Sequence, residues 1–154
     1  MTNVALFLHI AGALLFVAGI AVAGVAFESA RRRERPEEIA LLLGLARVAV
    51  PLVMLGAILL FGCGLWLAGL EHDVGYGTGW VDAALALFVL ALGLGGWGGQ
   101  APKRAREHAT RLAASGEPAD RRLRELLDDR AAALANYASA TLVVAILALM
   151  VFKP

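Results

Sequence analysis

The 154-residue chain is 60% apolar and 18% charged, carries a net charge of +1 at neutral pH and contains one cysteine. A soluble domain has about 45–50% apolar and 25% charged residues, so this composition excludes a disordered chain and a standard nucleic-acid binder. One cysteine excludes an intramolecular disulfide and a cysteine-rich zinc site.

A hydrocarbon core roughly 30 Å thick is crossed by about 20 helical residues. Residues 3–27 hold no formal charge, residues 48–70 are uncharged after Arg47, residues 81–99 carry only Asp82, and residues 131–152 are uncharged until Lys153. Each stretch must satisfy its own backbone in lipid, which predicts four helices rather than the alternating strands of an outer-membrane barrel. The start, residues 1–9, lacks the basic residues of a secretory signal, so the first span reads as a reverse-orientation anchor kept in the mature protein.

Direction comes from the connectors. Thirteen of the 14 basic residues lie in residues 28–47 and 100–130, whereas residues 71–80 carry Glu71 and Asp73 and no Lys or Arg. The positive-inside rule therefore predicts an inner-membrane protein with connectors 28–47 and 100–130 in the cytoplasm and both termini outside. The whole chain, residues 1–154, reads as a single transmembrane domain.

Small residues let membrane helices approach closely. On the first span Thr2, Ala5, His9, Gly12, Phe16, Gly19 and Ala23 recur at steps of three and four and predict one seam. The second span offers several equivalent seams, and Pro51 predicts a kink near its basic end. On the third, Ala91, Gly95 and Gly99 repeat every four residues. Four glycines within residues 95–99 suggest close backbone contact or a frayed end. On the fourth, Asn136, Ala140, Val143, Leu147 and Met150 form a seam. Residues 100–130 are too long for a turn. Pro102 predicts a helix to about Ala114; Ser115, Gly116 and Pro118 break it, and a second helix follows with Leu123, Leu126 and Leu127 on one side. The fold class is thus all-α: a four-helix membrane bundle with a cytoplasmic helical hairpin between spans three and four.

His9 is the most informative candidate. It lies inside the first span on the small-residue seam, where an ionisable group calls for a partner or a ligand. A neutral imidazole can bind haem or a metal, and it can equally be a histidine hydrogen-bonded to a neighbouring helix. Cys63 and Met150 fall near the same outer level, so His9, Cys63 and Met150 would suit monovalent copper, and His9 with His72 would suit haem b. The plainer readings are a small buried apolar residue for Cys63, core or lipid-facing filler for Met150 and a loop residue for His72. Tyr76 and Trp80 read as interfacial aromatic anchors, and Arg31, Arg32 and Arg33 as a topology signal with contact to anionic lipid. Arg47 is expected to snorkel to phosphates, and His108 to sit exposed among arginines.

The sequence Leu8-His9-Ile10-Ala11-Gly12-Ala13, the arginine cluster after the first span, the Gly-Trp opening of the third, the basic third connector and the closing Leu149-Met150-Val151-Phe152-Lys153-Pro154 resemble a bacterial family. It is the predicted integral membrane family called domain of unknown function twenty-two sixty-nine, and the resemblance covers nearly the whole chain. That family implies a membrane location and no particular activity. The early intramembrane histidine is also distantly similar to that of copper-resistance D type membrane proteins and of the J-type protoporphyrinogen oxidase. The latter resemblance implies haem contact for His9. It also implies a lysine in a later span, where this chain has none: Lys103 lies in a connector and Lys153 at the terminus.

No catalytic constellation emerges, so the reading leans away from an enzyme. The expected function is a binding or accessory membrane subunit, with membrane lipids and a partner membrane protein or a second copy of the chain as partners. One alternative is a haem- or copper-binding redox protein using His9. Another is a small oligomeric transporter or channel.

Overall fold

The computed structural model describes residues 2–70 and 79–152. Among the described residues seven helices follow in chain order: α1 (Thr2–Arg31), α2 (Pro36–Gly44), α3 (Ala46–Leu70), α4 (Gly79–Gly98), α5 (Gln100–Ser115), α6 (Arg121–Leu127) and α7 (Arg130–Phe152). No strand occurs among the described residues, and four helical stretches are long and apolar enough to cross a membrane. Large apolar side chains such as Phe7, Leu14, Ile58, Val89 and Val144 point outward along them. Lipid tails are as apolar as a protein interior, so nothing drives these side chains inward.

The spans associate as two pairs, α1 with α3 and α4 with α7. In the first pair the backbones nearly touch. A Cβ on Gly56 would lie 2.5 Å from the Phe16 nitrogen and 2.7 Å from the Gly12 oxygen, and one on Gly19 would lie 2.9 Å from the Val53 nitrogen. Ala5, Gly12, Phe16 and Gly19 are all buried along this contact, the face on which the three- and four-residue spacing places them. In the second pair the Ser139 hydroxyl donates to the Ala91 carbonyl at 2.8 Å, and the Asn136 amide donates to the Gly98 carbonyl at 3.2 Å. The two pairs meet through Phe88, whose ring centroid lies 5.7 Å from that of Phe16 and 6.3 Å from that of Phe61.

At the arginine-rich end α2, α5, α6 and the last turns of α1 build a separate cap. Ala30, Ile39, Leu43, Ala105, Ala109, Leu112, Leu123 and Leu127 form its core, in which Ile39, Leu123 and Leu127 are the largest fully buried side chains. Pro36 starts α2 at a position where its missing N–H costs nothing, and Ile39 and Leu43 are one turn apart on the same face. The α5–α6 turn is set by Gly116, whose φ of 69° closes α5 in a left-handed conformation that glycine adopts without strain. Asp120 then caps α6 by accepting from the Leu123 N–H at 2.8 Å. Arg31 ties the end of α1 to α6: its side chain meets Asp128 at 3.3 Å and Glu28 at 3.6 Å, and its carbonyl accepts from Arg124 at 3.4 Å.

Several details differ from the sequence reading. The first connector is largely helical, because α1 extends to Arg31 and α2 fills residues 36–44. A turn-like residue, Leu45, separates α2 from α3; its N–H bonds the Leu42 carbonyl at 3.1 Å. The glycine run does not fray: Gly99 keeps right-handed helical angles, and the Lys103 N–H bonds its carbonyl at 3.2 Å, so α5 continues α4. On α7 the buried face is Ala132, Ala135, Ser139 and Ile146, while Leu147 is exposed. His108 is not exposed; its ring is 14% accessible and bonds the Asp120 carboxylate at 2.7 Å.

Two expectations follow. Gly56→Ala must push the α1 backbone away and should cost about 1–3 kcal/mol in detergent unfolding. Gly93→Ala, which meets nothing within 4 Å, should be neutral or stabilising. The second concerns acid. The Leu123 N–H first, and the His108 ring second, hold the Asp120 carboxyl below its ordinary value. A depressed carboxylate stabilises the fold above its unfolded pKa of about 3.9 and loses that contribution as pH falls through the lower folded value. Acid titration followed by a cap-specific NMR signal should show opening of the α5–α6 turn in that acidic window. Asp120→Asn should remove the dependence.

Candidate functional site

The site begins with the α1–α3 contact. Gly56 and Gly64 are eight residues apart on α3, with Leu60 midway, so all three share one face at four-residue steps. Gly56 lets the α1 backbone in at Phe16 and Gly12. Gly64 makes room for His9: a Cβ there would lie 3.2 Å from His9 Cε1 and 3.4 Å from Nδ1. The imidazole lies against Gly64 with its Nδ1 3.1 Å from the Leu60 carbonyl.

That hydrogen bond fixes the tautomer. A carbonyl only accepts, so the Nδ1 atom carries the proton and donates. In the neutral ring Nε2 then holds the free lone pair. His9 is half-buried and makes this one side-chain hydrogen bond among the described residues, so Nε2 is left without a hydrogen-bond partner among them. A ring held through Nδ1–H to a carbonyl, with Nε2 left open, is also how metal-binding histidines are oriented from outside the coordination sphere.

The remaining candidates are distributed as follows. Cys63 is buried on α3, next to Gly64 in sequence, and no hydrogen bond joins it to His9 among the described residues. Met150 is half-buried on α7, in the other helix pair. Among the described residues no three His, Cys, Asp or Glu side chains gather as a metal-ligand set. His72 and Tyr76 lie outside the described residues, as does the Trp80 side chain. Gly12 and Gly19 sit in the α1–α3 contact. Ala91 accepts from Ser139, Gly95 faces the Ser139 hydroxyl, and Gly99 is exposed at the α4–α5 junction. Arg31, Arg32 and Arg33 engage Glu28, Asp128 and Glu38 in ion pairs. Arg47 is exposed at the start of α3.

One contributor was not singled out from sequence, Gly64. The four-residue step Gly56-Leu60-Gly64 was the available signal for it. The tautomer has a direct spectroscopic check. Nitrogen-15 NMR of the protein in detergent or lipid should show His9 Nδ1 as the protonated nitrogen and Nε2 as the unprotonated one. Gly64→Val, which forces the ring aside, should abolish that bias.

Neither a curated protein nor a solved structure matches the chain. A family model does, that of the predicted integral membrane proteins of DUF2269, and the match extends over residues 3–154. With four helices long and apolar enough to cross a membrane and a family match over almost its full length, the chain belongs to the DUF2269 family of predicted integral membrane proteins.

Proposed function

We propose that this protein is a membrane-embedded binding or accessory subunit, and that His9 Nε2 is the group through which it meets its ligand or partner. The supporting observation is the held imidazole: Nδ1 is committed to the Leu60 carbonyl, Gly64 gives the ring its seat, and Nε2 keeps its lone pair within the span. An intramembrane polar atom of this kind is costly without a partner, and partners of such groups are proton donors, metals or cofactors. The positive-inside rule orients the protein in this reading. The arginine-rich cap faces the cytoplasm of a bacterial inner membrane, and His9 lies near the outer leaflet.

The same geometry favours a second reading, in which Nε2 is the protein's ligand to haem b or to copper, because the Nδ1 hydrogen bond already supplies the orientation such a ligand needs. Haem or copper in that position would supply one-electron chemistry. The chain's own contribution is to hold one nitrogen.

Purification from native membranes in mild detergent separates these readings. His9→Asn keeps a donor for the Leu60 carbonyl and removes the imidazole. A colourless preparation with a stoichiometric membrane partner that His9→Asn loses supports the first reading. A Soret band or bound copper that His9→Asn removes supports the second. A colourless, metal-free monomer unaffected by the substitution rejects both.

A further inference from the structure

The outward faces of α4–α5 and α7 carry the same pattern in opposite directions. On α4–α5, Trp97, Gln100 and Arg104 follow at steps of three and four and are exposed, Trp97 by 53%. Because α5 continues α4 through Gly99, these three lie on one helix face. The Arg104 guanidinium donates to the Gln100 side-chain oxygen Oε1 at 3.4 Å. On α7, Arg130 and Tyr137 lie seven residues apart and are exposed, Tyr137 by 63%. In both cases the arginine stands two turns, about 10 Å, beyond the aromatic ring and away from the middle of the span.

The pairing of the helices puts the two patterns at one depth. Ser139 bonds Ala91, and Asn136 bonds Gly98, so antiparallel α4 and α7 set Trp97 within a turn of the level of Tyr137 and Arg104 within a turn of the level of Arg130. Both stripes face away from the α4–α7 contact, because the buried positions are Ala91 and Gly98 on α4 and Ala132 and Ser139 on α7.

Arg31, Arg32, Arg33 and Arg121 have carboxylate partners within ion-pair distance. Arg104 and Arg130, like the six remaining arginines, have none among the described residues, and of these eight only Arg104 and Arg130 stand two turns from an exposed aromatic residue. The nearest carboxylate in sequence to Arg130, that of Asp129, instead accepts the Ala132 N–H at 3.1 Å and caps α7.

We infer that these two stripes bind anionic phospholipid, with Trp97 and Tyr137 at the glycerol level and Arg104 and Arg130 on the phosphates. Interfacial aromatics and unpaired arginines just beyond a span are the complementary chemistry of such a headgroup. Each stripe takes its own lipid, since they lie on opposite sides of the helix pair. The paired arginines of the cap contribute to its internal contacts instead.

The test uses full-length protein in nanodiscs of phosphatidylcholine with a minor fraction of phosphatidylglycerol. A variant retaining only Trp97 (Trp66→Phe, Trp80→Phe) reports one stripe. The same background with Trp97→Phe and Tyr137→Trp reports the other. Brominated phosphatidylglycerol should quench each tryptophan more than brominated phosphatidylcholine at the same mole fraction. The expected local enrichment is about five-fold per arginine. Arg104→Gln should bring the Trp97 ratio to unity and Arg104→Lys should retain most of it. Arg130→Gln should act in the same way at position 137, and Arg32→Gln should change neither. Equal quenching by the two lipids, selectivity that survives the glutamine variants, or displacement by inorganic phosphate at constant ionic strength would overturn the inference. Circular dichroism of each variant confirms that the helices are retained.

Discussion

A bilayer withholds water from the backbone, and the architecture of this protein follows from that restriction. Each span satisfies its N–H and C=O groups within its own helix. Lipid then removes the usual reason for helices to associate, so close packing and interhelical hydrogen bonds must hold them. The structure uses both in each pair. Between α1 and α3 the means are Gly12, Gly19 and Gly56 together with the His9 bond to Leu60. Between α4 and α7 they are Gly95 and Gly98 together with the bonds from Ser139 and Asn136. All three polar side chains donate to a helix carbonyl. Such a carbonyl has a second lone pair available, so the contact forms without breaking the helix it joins.

The two pairs touch through phenylalanine rings, and rings alone give little cohesion in a hydrocarbon solvent. The cap supplies what the spans lack. Its core of Ile39, Leu43, Leu112, Leu123 and Leu127 is assembled from helices α2, α5 and α6, which belong to the connectors of both pairs. Where that core borders water, apolar burial stabilises it at about 25 cal/mol per Å², a driving force absent between the spans. The exposed ion pairs around Arg31 add direction more than energy. The hydrophobic effect at one end of the molecule thus joins two hairpins that packing alone would leave loosely associated.

This division explains what the sequence disclosed. The spans were legible because their length and lack of charge are dictated by the hydrocarbon core, and the α1 seam because a bulky residue, Phe16, and small ones alternate at helical spacing. The α5–α6 hairpin was legible from Pro102, Gly116 and Pro118. By contrast α2 has nine residues and is preceded by a run of charges, which reads as a loop until its partner helix α5 is known. The buried face of α7 was misplaced toward Leu147 because an alanine-rich helix offers several stripes of equal bulk. Only the acceptor on α4 singles out Ser139. His108 looked exposed for a similar reason: its partner Asp120 lies across a turn, outside any local periodicity.

The candidate site shows the same limit more sharply. His9 stood out because an imidazole in an otherwise uncharged span is expensive. Its orientation was not legible, because that depends on a carbonyl and a glycine 51 and 55 residues further along the chain. The carbonyl decides which nitrogen carries the proton, and the glycine decides where the ring can lie. Together they turn a residue that could have been a simple helix-to-helix pin into one that pins with one nitrogen and leaves the other unused. A serine or asparagine would hold the two helices together equally well, as Ser139 and Asn136 do in the other pair. What the imidazole adds over those residues is the second nitrogen, and that difference in chemistry is the reason to look for function at Nε2.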